Sequence, residues 1–175
     1  MKRFAYFFIT GLLMAGMVLT TNAQDDKSKR PSPPKTASAE AGDVKIVIDY
    51  GAPSVKGRKI YGGLVPYDKV WRTGANEATT FSISEDATIN GESLAAGKYA
   101  LFTIPGEDEW TVIFNKNPNQ WGAYDYKQDD DALRIQVKPN KTNQLQEQLN
   151  FKVGGDGKVH FSWEHQSFDF MVSDD

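Results

Sequence analysis

Five short runs of this chain alternate apolar and polar side chains with a period of two, and this pattern constrains the fold more than any other feature. The runs lie at 44–50, 133–138, 149–153, 159–164 and 167–172. Successive side chains of a strand point to opposite faces of a sheet, so the alternation indicates antiparallel strands with one buried face. Such strands must pack two sheets together or close into a barrel.

Turn-forming residues separate these runs and delimit further strands. Asn90-Gly91 supplies the positive φ angles of a tight hairpin, and Gly-Gly-Asp-Gly at 154–157 does the same between two of the runs. Further strands are predicted at 79–84, 98–104, 110–115 and, shorter, 69–73, with a turn at 105–108 and one weakly helical segment at 143–148. About eight to ten strands without βαβ spacing predict an all-β fold, an antiparallel β-sandwich or a jelly-roll-like structure with little helix.

The first 23 residues are typical of a secretory signal peptide. Lys2 and Arg3 precede an uncharged, largely apolar run at 4–19, and small residues follow up to Ala23. We predict cleavage between Ala23 and Gln24 and export to the periplasm or the cell exterior. The alternative is a membrane anchor, but the apolar run is shorter than the ~20 residues of a spanning helix. No membrane span is therefore expected after cleavage.

Residues 24–43 are polar and proline-rich, and we predict a flexible leader there, followed by a single β-rich domain at 44–175. Removal of Lys2 and Arg3 with the signal peptide would change the net charge from -3 to -5. That balance argues against nucleic-acid binding, which needs a basic face. The chain has no cysteine, which excludes disulfides, cysteine catalysis, thiolate-bound metals and a bacterial lipid anchor.

Several longer motifs resemble a known family. They are APSVKGRKIYGGLVPY at 52–67, VWRTGANEATT at 70–80, LAAGKY at 94–99, EW at 109–110, FNK at 114–116 and QWG at 120–122. The motifs are similar to those of exported bacterial proteins, largely from Gram-negative groups, that share the domain of unknown function 2911. The resemblance covers about Ser32 to Val172. It implies export and a single β-rich domain, and it assigns no catalytic residue because it implies no established activity.

The segment at 71–77 is the strongest candidate binding site because it gathers different polar groups around one glycine. Arg72 offers a planar fork for a carboxylate or phosphate, and Asn76 offers both a donor and an acceptor. Glu77 is able to accept hydrogen bonds from sugar hydroxyls or to act as a base. The structural alternative is that Arg72 and Glu77 pair with each other or with Asp68 and lock a corner of the fold.

Three aromatic residues in a polar loop are the next candidates. Trp121, Tyr124 and Tyr126 lie between 116 and 131 beside several amides and carboxylates, a setting suited to stacking on sugar rings, and Trp121 and Tyr124 are the two expected to bind the ligand. The alternative interpretation is that these rings cap an open end of the sandwich. Trp110 and Trp163, by contrast, lie on strand patterns and are predicted core residues.

Arg58 is a secondary candidate. It lies in the basic turn at 56–59, where Gly57 permits an anion to approach the backbone closely. A solvated turn is the simpler interpretation, because exposed charges contribute little.

No metal or cofactor site is predicted. The aspartates at 129–131 do not follow the calcium-loop pattern, so a charged turn is the preferred interpretation. His160 and His165 are the only histidines, whereas zinc sites usually use three or four nitrogen or sulfur ligands.

We therefore expect an exported, non-enzymatic protein that binds a small polar ligand, either a glycan or an anionic metabolite. The residues expected to bind it are Arg72, Asn76, Glu77, Trp121, Arg58 and Tyr124. One alternative is a carboxylate-dependent, glycosidase-like hydrolase in which Glu77 works with an acidic residue at 107–109. Another is a protein-interaction module of the cell envelope. The chain has no Gly-x-Ser-x-Gly nucleophile motif.

Overall fold

The computed structural model describes residues 26–174, which form two antiparallel sheets. The strands are β1 (Pro34–Ala41), β2 (Val44–Gly51), β3 (Thr80–Ile83), β4 (Ala87–Ile89), β5 (Glu92–Leu94), β6 (Gly97–Ile104), β7 (Trp110–Asn115), β8 (Asp131–Val137), β9 (Asn140–Val153) and β10 (Lys158–Asp174). The larger sheet has the order β1-β2-β3-β6-β7-β8 and the smaller one the order β5-β4-β10-β9. This arrangement confirms the predicted all-β sandwich.

The core lies between the two sheets because the apolar side chains of each alternating strand face inward. Along β2, for example, Ile46 and Ile48 are fully buried while Lys45 is exposed. Aromatic rings fill the centre of the core. They include Trp110 and Trp163, both buried, as the sequence predicts.

A second apolar cluster covers the outer face of β6 and β7. Ala100, Phe102 and Ile113 are buried there, and the ring of Tyr126 meets Phe102 edge-on with centroids 5.2 Å apart. These two strands are therefore buried on both faces. The loop after β7 must fold back over the larger sheet to supply Tyr126, and this places the middle of the loop beside the start of β3.

Strand β10 turns back on itself at Glu164, which has a φ of 57°. The Val172 N–H donates to the Gly157 carbonyl at 2.9 Å, and His160 Nδ1 lies 2.5 Å from Asp169 Oδ1. The returning half of β10 then pairs with β4 through Val172 and its neighbours. The N-terminal half of β10 therefore pairs with β9, and its C-terminal half pairs with β4.

The predicted turns are present. Asn90 and Gly91, with φ of 51° and 88°, connect β4 to β5 as a hairpin. Residues 154–157 connect β9 to β10, and residues 105–108 lie between β6 and β7.

The predicted boundary between leader and domain at residue 44 is wrong. Residues 34–41 form β1 and pair along their whole length with β2. The sequence did not reveal this strand because its half-buried positions are occupied by small residues such as Ala37 and Ala39, which produce a weak alternation. Backbone pairing with β2, rather than burial of large side chains, therefore holds β1 in place.

Two other local predictions are also wrong. The weakly helical segment at 143–148 belongs to β9, because an isolated turn of helix is unstable, and here Gln146 pairs with Glu164 of β10 and Gln148 forms a bridge with Ser54. The short strand at 69–73 is reduced to one bridge between Trp71 and Thr103. Thr73 has a φ of 53°, which takes the chain out of the extended conformation.

Within residues 26–174 there is no helix long and apolar enough to cross a membrane. The predicted signal peptide at 1–23 and its cleavage position lie outside the described residues.

Candidate functional site

The loop at 71–77 is fixed by its backbone contacts with β2 and β6. Thr73 is fully buried, and its hydroxyl donates to Trp71 O and lies 3.1 Å from the hydroxyl of Thr103. The Ala75 N–H donates to the Gly51 carbonyl at 3.2 Å. Thr73 and Asn76 both have positive φ values, 53° and 66°, which non-glycine residues seldom adopt. Such backbone geometry persists only where the surroundings enforce it.

The loop at 71–77 is joined side by side to the loop that follows β7. Ala78 N–H donates to Gln120 O at 2.9 Å, and Gly122 N–H donates to Asn76 O at 3.2 Å. Between these two bonds, Glu77 and Trp121 form an isolated antiparallel bridge. Residues directly opposite in such a pair project from the same face. The carboxylate of Glu77 and the indole of Trp121 therefore lie next to each other.

Asn115 holds the loop that carries Trp121 in place through its side-chain hydrogen bonds. It is fully buried at the end of β7, and its Nδ2 donates to Lys127 O and Asp131 Oδ1 at 3.0 and 2.9 Å. Its Oδ1 accepts from Asn117 N–H and from Gln120 Nε2, each at 3.1 Å. Asn115 is not among the site residues predicted from the sequence, although an amide at the end of an apolar strand is a visible signal of such a network. Its network fixes the position of the residue that precedes Trp121.

The two loops and the start of the larger sheet surround a cleft of about 810 Å³. Its lining combines basic, acidic, amide and aromatic side chains, namely Lys27, Arg30, Lys35, Lys98, Asp49, Glu77, Asn76, Asn119, Gln120, Tyr50 and Trp121. The volume lies within the ~300–1,000 Å³ of small-molecule sites. Trp121 is 54 % exposed, so its ring is accessible to a ligand.

Glu77 is paired with two basic residues that precede β1. Its carboxylate lies 2.9 Å from Lys27 Nζ and 3.0 Å from Arg30 Nη1. Partial burial raises the pKa of Glu77, but the hydrogen bonds from Lys27 and Arg30 and the charge of Lys27 outweigh it and lower the pKa to about 2. A carboxylate with this pKa remains ionised at neutral pH. It is poorly suited to donating a proton or acting as a general base, as the hydrolase alternative would require.

Two residues that line the cleft each carry a buried polar atom without a hydrogen-bond partner among the described residues. They are Gln120 Oε1 and the hydroxyl oxygen of Thr80. The amide orientation of Gln120 is set by its Nε2, which donates to the Asn117 carbonyl at 2.7 Å, so Oε1 is the acceptor. Similarly, Asn76 Nδ2 donates to Ser32 O at 3.0 Å. The amide oxygen of Asn76 is therefore oriented as an acceptor and matches a ligand that carries hydrogen-bond donors, whereas Gln120 Oε1 is buried and is not open to the cleft.

The structure brings together three of the six predicted site residues. Asn76, Glu77 and Trp121 line the cleft, whereas Arg72 and Tyr124 are not among its lining residues. Arg72 and Tyr124 instead pack over Gly122, where an added Cβ would lie 2.9 Å from Arg72 Nη1 and 3.0 Å from the Tyr124 ring.

The predicted role of Arg72 in a corner ion pair has no support in the structure. Glu77 pairs with the two basic residues before β1. Arg72 Nε is buried without a hydrogen-bond partner in the described part of the chain.

Arg58 lies outside the cleft as well. Its side chain donates to the backbone carbonyls of Val55, at 3.0 Å, and Ser54, which closes its own turn. This matches the simpler interpretation of the basic turn given by the sequence.

Acidic residues outside the cleft have structural contacts. Asp131 accepts from the hydroxyl of Tyr126 at 2.7 Å and pairs with Arg134 at 3.5 Å. Between Asp26 and Asp174, no group of three or more histidine, aspartate or glutamate residues is arranged to hold a metal ion.

Comparison with known proteins identifies a family and no closer relative. No curated protein and no solved structure matches the chain. A family model described as "Protein of unknown function (DUF2911)" matches residues 32–172. This range includes both sheets and the two loops that form the cleft, and it begins shortly before β1. The chain therefore belongs to the DUF2911 family, in agreement with the resemblance found in its sequence motifs.

Proposed function

We propose that this protein is an exported binding protein that holds a small polar ligand in the cleft beside Trp121, without catalysis. The observation that carries the proposal is the pairing of Glu77 with Trp121, which sets an exposed indole face beside oriented hydrogen-bond acceptors. A flat apolar surface flanked by polar groups is the usual arrangement of sites that orient small polar ligands.

A glycan is the ligand class that fits this chemistry best. Sugar rings stack on indole faces and carry hydroxyl donors, and Asn76 Oδ1 and the Glu77 carboxylate are acceptors. An anionic metabolite is the second class, supported by the four basic residues against two acidic ones in the lining. Experiment can separate the two classes, because added salt should strongly weaken the binding of an anionic metabolite but not that of a neutral glycan.

The test is a thermal-shift and calorimetric screen of the mature protein against neutral oligosaccharides and against small di- and tricarboxylates. Trp121→Ala and Asn76→Ala remove cleft groups, and Tyr124→Ala is the matched control, since it removes an exposed ring outside the cleft lining. We expect binding to be lost in the first two variants and retained in the control. A hit that all three variants bind equally well, or no hit in the screen, would count against the proposal.

Export is the other part of the proposal. It is supported by the basic, apolar and small-residue segments of residues 1–23. Intact mass of the protein recovered from the periplasm or the medium tests it, with a mature chain beginning at Gln24 as the expected result. A protein retained in the cytoplasm with Met1 intact would contradict it.

A further inference from the structure

The segment before β1 is held against the cleft by its own side chains and backbone. We call residues 26–33 the leader segment. Besides the contacts of Lys27 and Arg30 with Glu77, Ser32 O accepts from Asn76 Nδ2 at 3.0 Å and Pro33 O accepts from Ala52 N–H at 2.9 Å. A short turn of 3₁₀ helix at Lys27–Lys29 is closed by Asp26, which accepts from Ser28. The segment is therefore held beside the cleft by both backbone and side-chain contacts.

The basic residues of the leader segment differ in where they reach. Lys27 and Arg30 point to the Glu77 carboxylate, whereas Lys29 is 83 % exposed and pairs locally with Asp26 at 3.3 Å. Two cations from one short peptide thus converge on one carboxylate in the cleft. General attraction between a basic segment and an acidic protein would not select these two side chains over the third.

The surroundings of Glu77 have the chemistry of a cation site. Trp121 presents an exposed indole directly across the bridge, and aromatic faces attract ammonium and guanidinium groups. The amide oxygen of Asn76 in the same cleft is an acceptor. Acceptors of this kind match the N–H donors of lysine and arginine, which carry no acceptor of their own.

We propose that Glu77 and Trp121 form a subsite for the basic side chain of a peptide, and that the leader segment fills this subsite in cis. The inference rests on the proposed function, since it concerns the same cleft, and it adds a ligand class and a means of regulation. A Lys- or Arg-containing peptide would compete with the leader segment for Glu77.

Competition is feasible because one of the two contacts in cis is weak and the shared carboxylate is accessible. The side chains of Lys27 and Glu77 are 57 % and 45 % exposed, and exposed ion pairs contribute little, whereas the Arg30 side chain is 20 % exposed and makes the stronger contact. What favours the leader segment is its attachment, which gives it an effective concentration on the order of millimolar. Removing its two cations should therefore open the subsite without unfolding the domain.

The experiment uses the mature chain in three forms. These are the wild type, the double variant Lys27→Gln/Arg30→Gln, and the matched control Lys29→Gln, which removes a charge of the same segment that does not reach Glu77. The probe is the capped peptide Asp-Lys-Ser-Lys-Arg-Pro, with a version carrying glutamine at its three basic positions as a negative control. Binding is followed by calorimetry and by tryptophan fluorescence.

We expect the double variant to bind the basic peptide about tenfold or more tightly than the wild type and the Lys29→Gln control. Adding Glu77→Gln to the double variant should abolish this binding, and the neutral peptide should not bind. Equal affinity in all three forms, no peptide binding by the double variant, or binding that survives Glu77→Gln would each overturn the inference. Circular dichroism verifies that every variant is folded.

The same proteins are tested against the oligosaccharides and carboxylates of the screen above. Saccharide binding without peptide binding would refute the cation subsite and leave the proposed function in place. Peptide binding without any hit in the screen would refute the glycan and metabolite proposal and support the subsite.

Discussion

Glu77 and Trp121 are bridge partners that belong to neither sheet, and they bring a charged and an aromatic side chain from two different loops to one face of the cleft. The bonds on either side of them, from Ala78 to Gln120 and from Gly122 to Asn76, are between backbone atoms. Substitution of either side chain should therefore change the chemistry of the cleft and leave its framework intact.

The ionisation of Glu77 should be visible in the pH dependence of stability. Its pKa is lowered from 4.5 to about 2 in the folded protein, so its contribution is present above pH 4.5 and is lost as the pH falls toward 2. Exposure of the carboxylate keeps the effect small. Between pH 4.5 and 2 the melting temperature of the wild type should fall more steeply than that of Glu77→Gln. Glu107→Gln, at an exposed turn position, is the control and should follow the wild type.

Gly51→Ala should destabilise the domain and disturb the cleft together. A Cβ at this position would lie 2.2 Å from the Ala75 carbonyl oxygen, so the loop at 71–77 would have to move. Overpacking of this kind costs about 1–3 kcal/mol. Urea unfolding measures the loss, and Gly155→Ala, where the nearest atom is 3.6 Å away, should be nearly neutral. Equal stability of the two variants would show that the loop at 71–77 moves away from residue 51 at little cost in free energy.

Tyr50→Phe should weaken the connection between the two sheets. The Tyr50 hydroxyl accepts from the buried Phe151 N–H at 3.2 Å, linking β2 to β9. Without the oxygen this N–H would remain buried and unsatisfied, at a cost of about 1–3 kcal/mol. Denaturant unfolding tests this, with Tyr124→Phe as the control because Tyr124 is 82 % exposed. A loss no larger than that of the control would contradict the role given to this hydroxyl.

Phe161→Ala should be among the most destabilising single substitutions. Its ring is fully buried, stacks on Phe168 with centroids 4.7 Å apart and meets Phe151 edge-on at 5.2 Å. Truncating a buried phenylalanine costs about 3–5 kcal/mol. Met171 lies on the same strand with an exposed side chain, so Met171→Ala should reduce the free energy of unfolding far less. Unfolding midpoints in guanidinium measure both, and similar losses would argue against a rigid aromatic core.

Strong apolar alternation was sufficient to predict most of the sheet structure. β2 and β8 were found because they carry large apolar residues at inward positions, such as Ile46 and Ile135. β1 was missed because small residues at its inward positions, Ala37 and Ala39, give only a weak pattern. The alternation therefore identifies strands that bury large side chains and overlooks strands held mainly by backbone pairing.

The grouping of residues in the cleft could be predicted only in part, because loops lack the alternation of strands. Residue types suggested that Asn76, Glu77 and Trp121 are ligand-binding groups, and backbone pairing between two loops brings them together. No periodicity reveals which side of a loop a side chain takes, so Arg72 was expected beside them and instead packs over Gly122. The roles of Lys27 and Arg30 depend on contacts across nearly fifty positions of sequence, as their separations from Glu77 of 50 and 47 show.

The reversal of β10 also has a consequence for the order of folding. The hairpin of β4 and β5 gains its neighbour in the smaller sheet only when Val172 and the following residues reach Ile89. Contacts between residues so distant in sequence form slowly, because a long loop must close before they gain any stabilisation. The larger sheet is able to assemble first from strands close in sequence, and during that interval its inner apolar face would be uncovered. Aggregation through this face is therefore most favoured before the C-terminal half of β10 has docked.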